Sequence, residues 1–425
     1  MRLGISTESL DPNFIGGGHE HAWRVIEYLK ERHDLVYYPS LRTLTGPNAE
    51  QVLKEVESRG LEVPSSAFSL ASRLSGVGTA RRYSWLFLSH FKYLEVARDY
   101  ASEPSDFYFD PNYYGIDVNF VASAAGKGYG LTVHGPYFGA SLSGNVRNFL
   151  ASARGSLLTP CAARALLTRV AYNNALRVTR EKLSLPFRTG RLRFLAAVSR
   201  GTLEEHGLLD RGVRTVVLRP ANAFDPSLLG HRTKDKQDYF VYYARLVFEK
   251  GLLHLPEVMR LVTEKRPEAR LLLFGPQGKG YQGCALDLFR DKVRKYGLEH
   301  RVSYLGVLPR PEVHRVVSEA RALLYPSFSD AFSLVLLEAL ALGTQAVAYA
   351  IPGVKSTFGE LPDVRLVRPG DVEGMAEEAL SLRGEVAEDQ KTQAFLREHS
   401  DWGAVGRQLN SLIETTEFSK GKQSS

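Results

Sequence analysis

The chain is predicted to fold as two α/β halves, each built on its own parallel sheet. Three observations carry this. Short apolar runs alternate with amphipathic helical stretches along most of the sequence, the 425 residues exceed what one core holds, and a polar break interrupts the rhythm near the middle. The composition, 44% hydrophobic and 24% charged, excludes disordered, collagen-like and coiled-coil chains. A formal net charge of +7 permits anionic partners without naming one.

The first half opens on a short apolar strand, Arg2–Ser6, and not on a signal peptide, since no long apolar region followed by a small-residue cleavage site appears. Ala22, Val25, Ile26 and Leu29 then recur on one helical face. Further strands are predicted at Leu35–Tyr38, Phe107–Phe109, Gly130–Val133 and Phe194–Val198. In the second half, strands are expected at Tyr239–Tyr243, Arg270–Phe274, Val302–Leu305 and Ala322–Tyr325. Between them lie helices marked by Val258, Met259 and Val262, by Leu286, Phe289 and Val293, and by Val313, Val316 and Val317. Leu334 to Val354 carries one ionised residue, Glu338, but Leu342-Gly343-Thr344 breaks it and Pro352-Gly353 ends it. It reads as a buried helix turning into a buried strand, and no membrane span is predicted.

Taking Arg214–Leu218 as the first strand of the second half divides the chain into 1–213, 214–395 and a final helix with a polar tail over 396–425. Cys161 and Cys284 show neither metal-ligand spacing nor a disulfide framework, so a reducing compartment, the cytoplasm, is expected. Residues 154–193 carry nine Arg and Lys against Glu181 alone, interleaved with leucines. This suits either an anionic membrane surface, which would place the protein peripherally on the inner face, or a solvated helical face. No helix-turn-helix or aromatic-interleaved RNA motif appears, so no nucleic-acid partner is expected.

The most informative segment is Tyr325-Pro326-Ser327-Phe328-Ser329-Asp330-Ala331-Phe332-Ser333-Leu334, running on through Glu338 to Leu340. A strand ends, a short loop follows, and a helix begins near Ser333. In open α/β sheets ligands bind beyond the carboxyl ends of strands, and a helix start offers free N–H groups suited to a diphosphate. A carboxylate at Glu338 inside an apolar helical stretch needs donors, and sugar hydroxyls qualify. A core helix whose Glu bonds to neighbouring side chains is the other reading.

This segment resembles the Glu-x7-Glu motif of retaining GT-B glycosyltransferases of family 4, with Asp330 and Glu338 at the acidic positions. The resemblance extends to Arg245-Leu246-Val247-Phe248-Glu249-Lys250-Gly251, to Arg270–Pro276, to Val302-Ser303-Tyr304-Leu305-Gly306, and to Val347–Val354 with Val367–Asp371. It is looser in the first half, where Gly16-Gly17-Gly18-His19-Glu20 looks like the N-terminal glycine loop and Thr132-Val133-His134-Gly135 like the strand-end His.

The resemblance implies a GT-B fold, two facing Rossmann-like domains with a central cleft, and a hexosyltransferase that retains configuration. Arg245 and Lys250 would hold the donor diphosphate, and Asp330 and His134 would meet the transferred sugar. Glu338 would accept from the ribose hydroxyls, and the backbone at Ser333 and Leu334 would cradle phosphate. Gly17, Gly18, Gly275 and Val307 would complete the donor site. The partners are a nucleotide-sugar and a glycan or lipid-linked acceptor. No cofactor or metal is expected, since the chain has no Asp-x-Asp and no zinc-type cluster. Asp330, Ala331 and Ser333 depart from the family's usual Glu and glycines, which bears on donor-sugar preference. Two rivals stay open: a sugar-nucleotide epimerase of the same fold, and a non-enzymatic basic membrane-binding protein. Gly278-Lys279-Gly280-Tyr281-Gln282-Gly283 also spells a dinucleotide fingerprint, but it starts after the strand end it should follow.

Overall fold

The computed structural model describes residues 1–7, 9–11, 16–75, 89–113, 117–134, 142–156, 159–168, 187, 189–278 and 280–418. Within them, two six-stranded parallel sheets form. The first has the order β2-β1-β3-β4-β5-β6, with β1 Arg2–Ile5, β2 Asp34–Tyr37, β3 Phe107–Tyr113, β4 Gly128–Val133, β5 Leu192–Ala197 and β6 Arg214–Val217. The second has the order β12-β11-β10-β7-β8-β9, with β7 Gln237–Tyr243, β8 Arg270–Phe274, β9 Val302–Tyr304, β10 Ala320–Tyr325, β11 Ala346–Tyr349 and β12 Val364–Val367. The central strands are buried on both faces, as in β4 and β11, which is why they read as largely apolar runs.

Two expectations are corrected. Arg214–Val217 pairs with β5 in register Phe194↔Arg214 to Ala197↔Val217, so it closes the first sheet instead of opening the second. The passage between halves therefore begins after residue 217. A strand's own residues fix that it is a strand, and its partner is chosen by tertiary packing. The second correction concerns the cysteines. Cys161 and Cys284 are 123 residues apart in sequence, yet they are joined in a disulfide with Cα atoms 6.5 Å apart. Spacing along the chain carries no information about such a pairing.

The final helix, Trp402–Phe418, leaves the second half and packs on the first, against the Gly17–Leu29 helix and β5. Gly406 lies against the Tyr28 ring so closely that a Cβ would overlap it. His33 Nε2 stands 2.6 Å from Asn410 Oδ1, and Arg214 donates to Thr415 Oγ1 at 3.0 Å. Val405, Leu409 and Ile413, on the inner face of this helix, are fully buried. No helix among the described residues is long and apolar enough to cross a membrane.

Of the cation-rich 154–193 stretch, Arg169, Arg177, Arg180, Lys182, Arg188 and Glu181 lie outside the described residues. Arg154 is turned to the second half, where it pairs with Glu257 and donates to the Gly370 carbonyl at 3.2 Å.

Candidate active site

Strand order explains why distant residues meet. The second sheet begins at β7 and runs one way through β8 and β9, then returns to β10 on the other side of β7. The connections leaving β7 and β10 thus diverge, and a crevice opens at their carboxyl ends. Lys250 follows β7 and Asp330 follows β10. Lys250 Nζ lies 3.0 Å from Asp330 Oδ2, donates to the Ser329 carbonyl at 3.0 Å, and reaches the Tyr325 hydroxyl at 3.3 Å. The Tyr325 hydroxyl in turn donates to Asp330. Burial acts to lower the Lys250 pKa, but Asp330 and Tyr325 outweigh it and hold the ammonium above the ordinary lysine range. Burial, reinforced by Asp330, pushes Tyr325 up to about 12. At neutral pH the trio therefore carries a fixed positive charge paired with a carboxylate, with Tyr325 as neutral donor.

Two glycines let these loops approach. Gly251 adopts φ +71° with its Cα pressed against the Pro326 carbonyl, so the loop carrying Lys250 rests directly on the end of β10. Gly275 adopts φ +133° against the Ala244 carbonyl, and its N–H donates to Gly306 O at 2.8 Å. That role brings β8 against the segment bearing Arg245 and past the end of β9, where Val307 stands 66% exposed. Arg245 is exposed at the crevice, and its charge acts on both Tyr242 and Lys250.

The Leu334–Ala341 helix starts as expected: Ser333 is its N-cap and accepts from the Leu336 N–H at 3.2 Å. Tyr243, stacked on Phe274 with ring centroids 5.3 Å apart, donates to the Val335 carbonyl at 2.8 Å and ties the helix to β7. Glu338 lies on the same helix. Burial pushes its pKa up to about 7, with Arg310 pulling down and Glu20 pushing up. It is a carboxyl poised between its two forms at neutral pH.

From the first half, Gly17 stands against Leu334, where a Cβ would come 3.2 Å from Leu334 Cδ1. Gly18, its neighbour, faces the other way and leaves room for Asn112 Oδ1 at the end of β3. The glycine run thus serves two purposes, one toward the cleft and one toward the sheet. His134 is placed with His21, ring centroids 4.1 Å apart, and His21 Nδ1 lies 3.0 Å from Asn222 Oδ1. Burial, with His21 adding to it, holds His134 well below the usual histidine range, so it is neutral, and its buried Nε2 has no hydrogen-bond partner among the described residues. It belongs to the wall of the first half and is not part of the Lys250–Asp330 pair.

Sequence reasoning missed Tyr325, although the residue sits inside the motif it singled out. It also missed Asp110, buried in the middle of β3, where burial pushes its pKa up to about 8. Among the described residues, no three His, Cys, Asp or Glu side chains gather as a metal site would require.

Residues 230–399 match the family described as glycosyl transferases group 1. The match spans about 40% of the chain, most of the second half. It holds Arg245, Lys250, Asp330, Ser333 and Glu338, and it ends just before the final helix.

Among curated relatives, the chain is 28% identical to a 2-deoxystreptamine glucosyltransferase of Streptomyces kanamyceticus over 161 residues, 38% of this chain and 39% of that protein. It is 34% identical to a D-inositol 3-phosphate glycosyltransferase of Mycobacterium sp. (strain KMS) over 103 residues, 24% of this chain and 23% of that one. The first of these relatives are matched over 14–39% of their own length.

Solved structures extend the likeness to both halves. A sucrose-phosphate synthase from Thermosynechococcus elongatus superposes with a TM-score of 0.66 at 17% identity, covering 98% of this chain and 99% of that one. Anabaena HepE in complex with UDP-glucose gives 0.62 at 13%, covering 98% and 100%. The fold of both halves is GT-B.

Proposed function

We propose that the protein is a retaining glycosyltransferase that moves a sugar from a nucleoside-diphosphate donor to a hydroxyl of a glycan or lipid-linked acceptor. The observation that carries this reading is the buried Lys250–Asp330–Tyr325 cluster at the diverging ends of β7 and β10, facing the start of the Leu334–Ala341 helix. As the bond from the sugar to the diphosphate breaks, negative charge grows on the departing phosphate. A preorganised ammonium, a guanidinium and helix N–H groups stabilise that charge at the moment it forms. Arg245 and Lys250 supply it from the protein itself, so the reading requires no metal. Asp330, held by Lys250 and Tyr325, is placed to accept from hydroxyls of the transferred sugar. Exposed Val307 offers an apolar shelf to the nucleobase. On the facing wall, His134 Nε2, Asn112 Oδ1 and Thr132 Oγ1 are buried without hydrogen-bond partners among the described residues and await hydroxyl groups. The cation-rich 154–193 stretch would favour an anionic membrane surface near a lipid-linked acceptor.

The donor is identified by thermal shift with UDP-, GDP- and ADP-sugars. HepE, of the same fold, was solved with UDP and with UDP-glucose. One nucleotide is expected to raise the midpoint in proportion to RT ln(1 + [L]/Kd), and no stabilisation by any of them would sink the reading.

Glu338 adds a pH signature. Its carboxylate accepts from ribose hydroxyls, whereas below about pH 7 the buried group holds a proton. Binding must then release that proton, so nucleotide affinity should rise with pH between 5 and 8, by up to about tenfold per unit below the pKa. Titration calorimetry in two buffers of different ionisation enthalpy reads the released proton. Glu338→Gln should bind without pH dependence, and an unchanged slope in that variant would remove Glu338 from the ribose.

A further inference from the structure

The chain has two cysteines, and they come from opposite halves. Cys161 lies on helix 160–168, inside the long crossover from β4 to β5, and Cys284 caps the Ala285–Lys295 helix after β8. They are bonded, with a Cα separation of 6.5 Å inside the ordinary disulfide span.

The bond is one member of a seam. His254 Nε2 lies 2.8 Å from the Ala151 carbonyl, and the Phe149 and Phe248 rings pack with centroids 5.3 Å apart. Lys292 donates to the Arg154 carbonyl at 2.6 Å and to Leu253 O at 3.2 Å. Arg154 pairs with Glu257, whose carboxyl is held below its usual range despite burial by Arg154 and Lys292. On the second half, most of this seam falls on 248–257, the stretch that holds Lys250, or on the helix that begins beside Cys284.

Across the cleft from this seam the halves also approach closely, since a Cβ added at Gly17 would come 3.2 Å from Leu334 Cδ1. The chain itself passes between halves after β6 and again at His399–Trp402, where Phe224 N donates to His399 O at 3.0 Å and the His21 and Trp402 rings lie 5.9 Å apart. The disulfide is a third covalent tie, set in the seam and not at either crossing.

We propose that Cys161 and Cys284 form a thiol–disulfide latch on the cleft: oxidised, it holds the halves together and slows nucleotide exchange; reduced, it frees them. The nucleotide consequence rests on the donor reading above, and the latch itself does not. Closure proceeds by exchange with a small-molecule disulfide such as oxidised glutathione. One cysteine thiolate attacks the reagent's S–S bond and expels one thiol. The second cysteine then displaces the other, so one protein disulfide forms, one reagent disulfide breaks, and two small thiols leave. Both cysteines are half-buried and within reach of such a reagent.

The full-length protein is treated with oxidised glutathione or with dithiothreitol, alkylated with iodoacetamide, and mass-mapped, and amide hydrogen exchange is followed over 248–257. The oxidised form should escape alkylation at both cysteines and exchange roughly tenfold more slowly over that stretch. UDP association and dissociation should slow by a similar factor, and the double variant Cys161→Ser/Cys284→Ser should respond to neither reagent. Alkylation of both cysteines after oxidation overturns the latch, as does equal exchange in the two forms. If UDP, GDP and ADP bind neither form while the exchange difference persists, the latch stands and the donor reading falls.

Discussion

Lys250→Ala should lower turnover by roughly 10²-fold or more, the usual cost of losing one charge-stabilising group at a developing anion. The chemistry is not the only loss. Lys250 holds Asp330 at 3.0 Å in a site where the two side chains are 15% and 20% exposed. Removing the ammonium leaves a largely buried carboxylate with Tyr325 as its principal donor, at a cost of about 1–3 kcal/mol in stability. The two effects separate in the double variant Lys250→Ala/Asp330→Asn. Unfolding should then move back toward wild type, because the uncompensated charge is gone, while turnover stays low. Steady-state kinetics and thermal unfolding on the three proteins decide it. Turnover within threefold of wild type in Lys250→Ala would remove Lys250 from leaving-group stabilisation.

Gly251→Ala is expected to produce the largest stability loss of any single methyl group added to the cleft. Its φ of +71° disfavours any side chain, and the new Cβ would fall inside the contact radius of the Pro326 carbonyl, a backbone atom that cannot swing aside. Either the loop with Lys250 or the loop with Asp330 must shift. We expect a loss of about 2–4 kcal/mol, which for a domain of this size lowers the midpoint by on the order of 10 °C. Gly230→Ala is the control: Gly230 has no positive φ and open space where its Cβ would go, so its midpoint should stay within about 2 °C of wild type. Equal midpoints for the two variants would show that the loops are not pressed together as described.

Much of this architecture was legible beforehand, for a physical reason. Periodicity reports whether a segment is strand or helix, and a Ser before an apolar run reports a helix start, so β7, β8, β10 and the Ser333 cap follow from local rules. Partnership is not local. Arg214–Val217 looks like any other short strand, and only its pairing with β5 assigns it to the first sheet. The same limit hid the Cys161–Cys284 bond. It also hid the meeting of Lys250 with Tyr325, which depends on β10 returning beside β7. Gly17 and Gly18 make the point at the smallest scale. Adjacent and identical, they face different neighbours, and no composition rule distinguishes them.

The last helix has a bearing on biosynthesis. Val405, Leu409 and Ile413 fill a surface that belongs to residues made some two to four hundred positions earlier, beside Tyr28 and β5. A nascent chain that has been made only as far as β6 still lacks the cover for that apolar strip. Domains emerging from the ribosome generally fold in order of synthesis. Here the first half cannot become finished until residues 402–418 have been made, and cutting the chain between the two sheets would yield two fragments that each lack part of themselves.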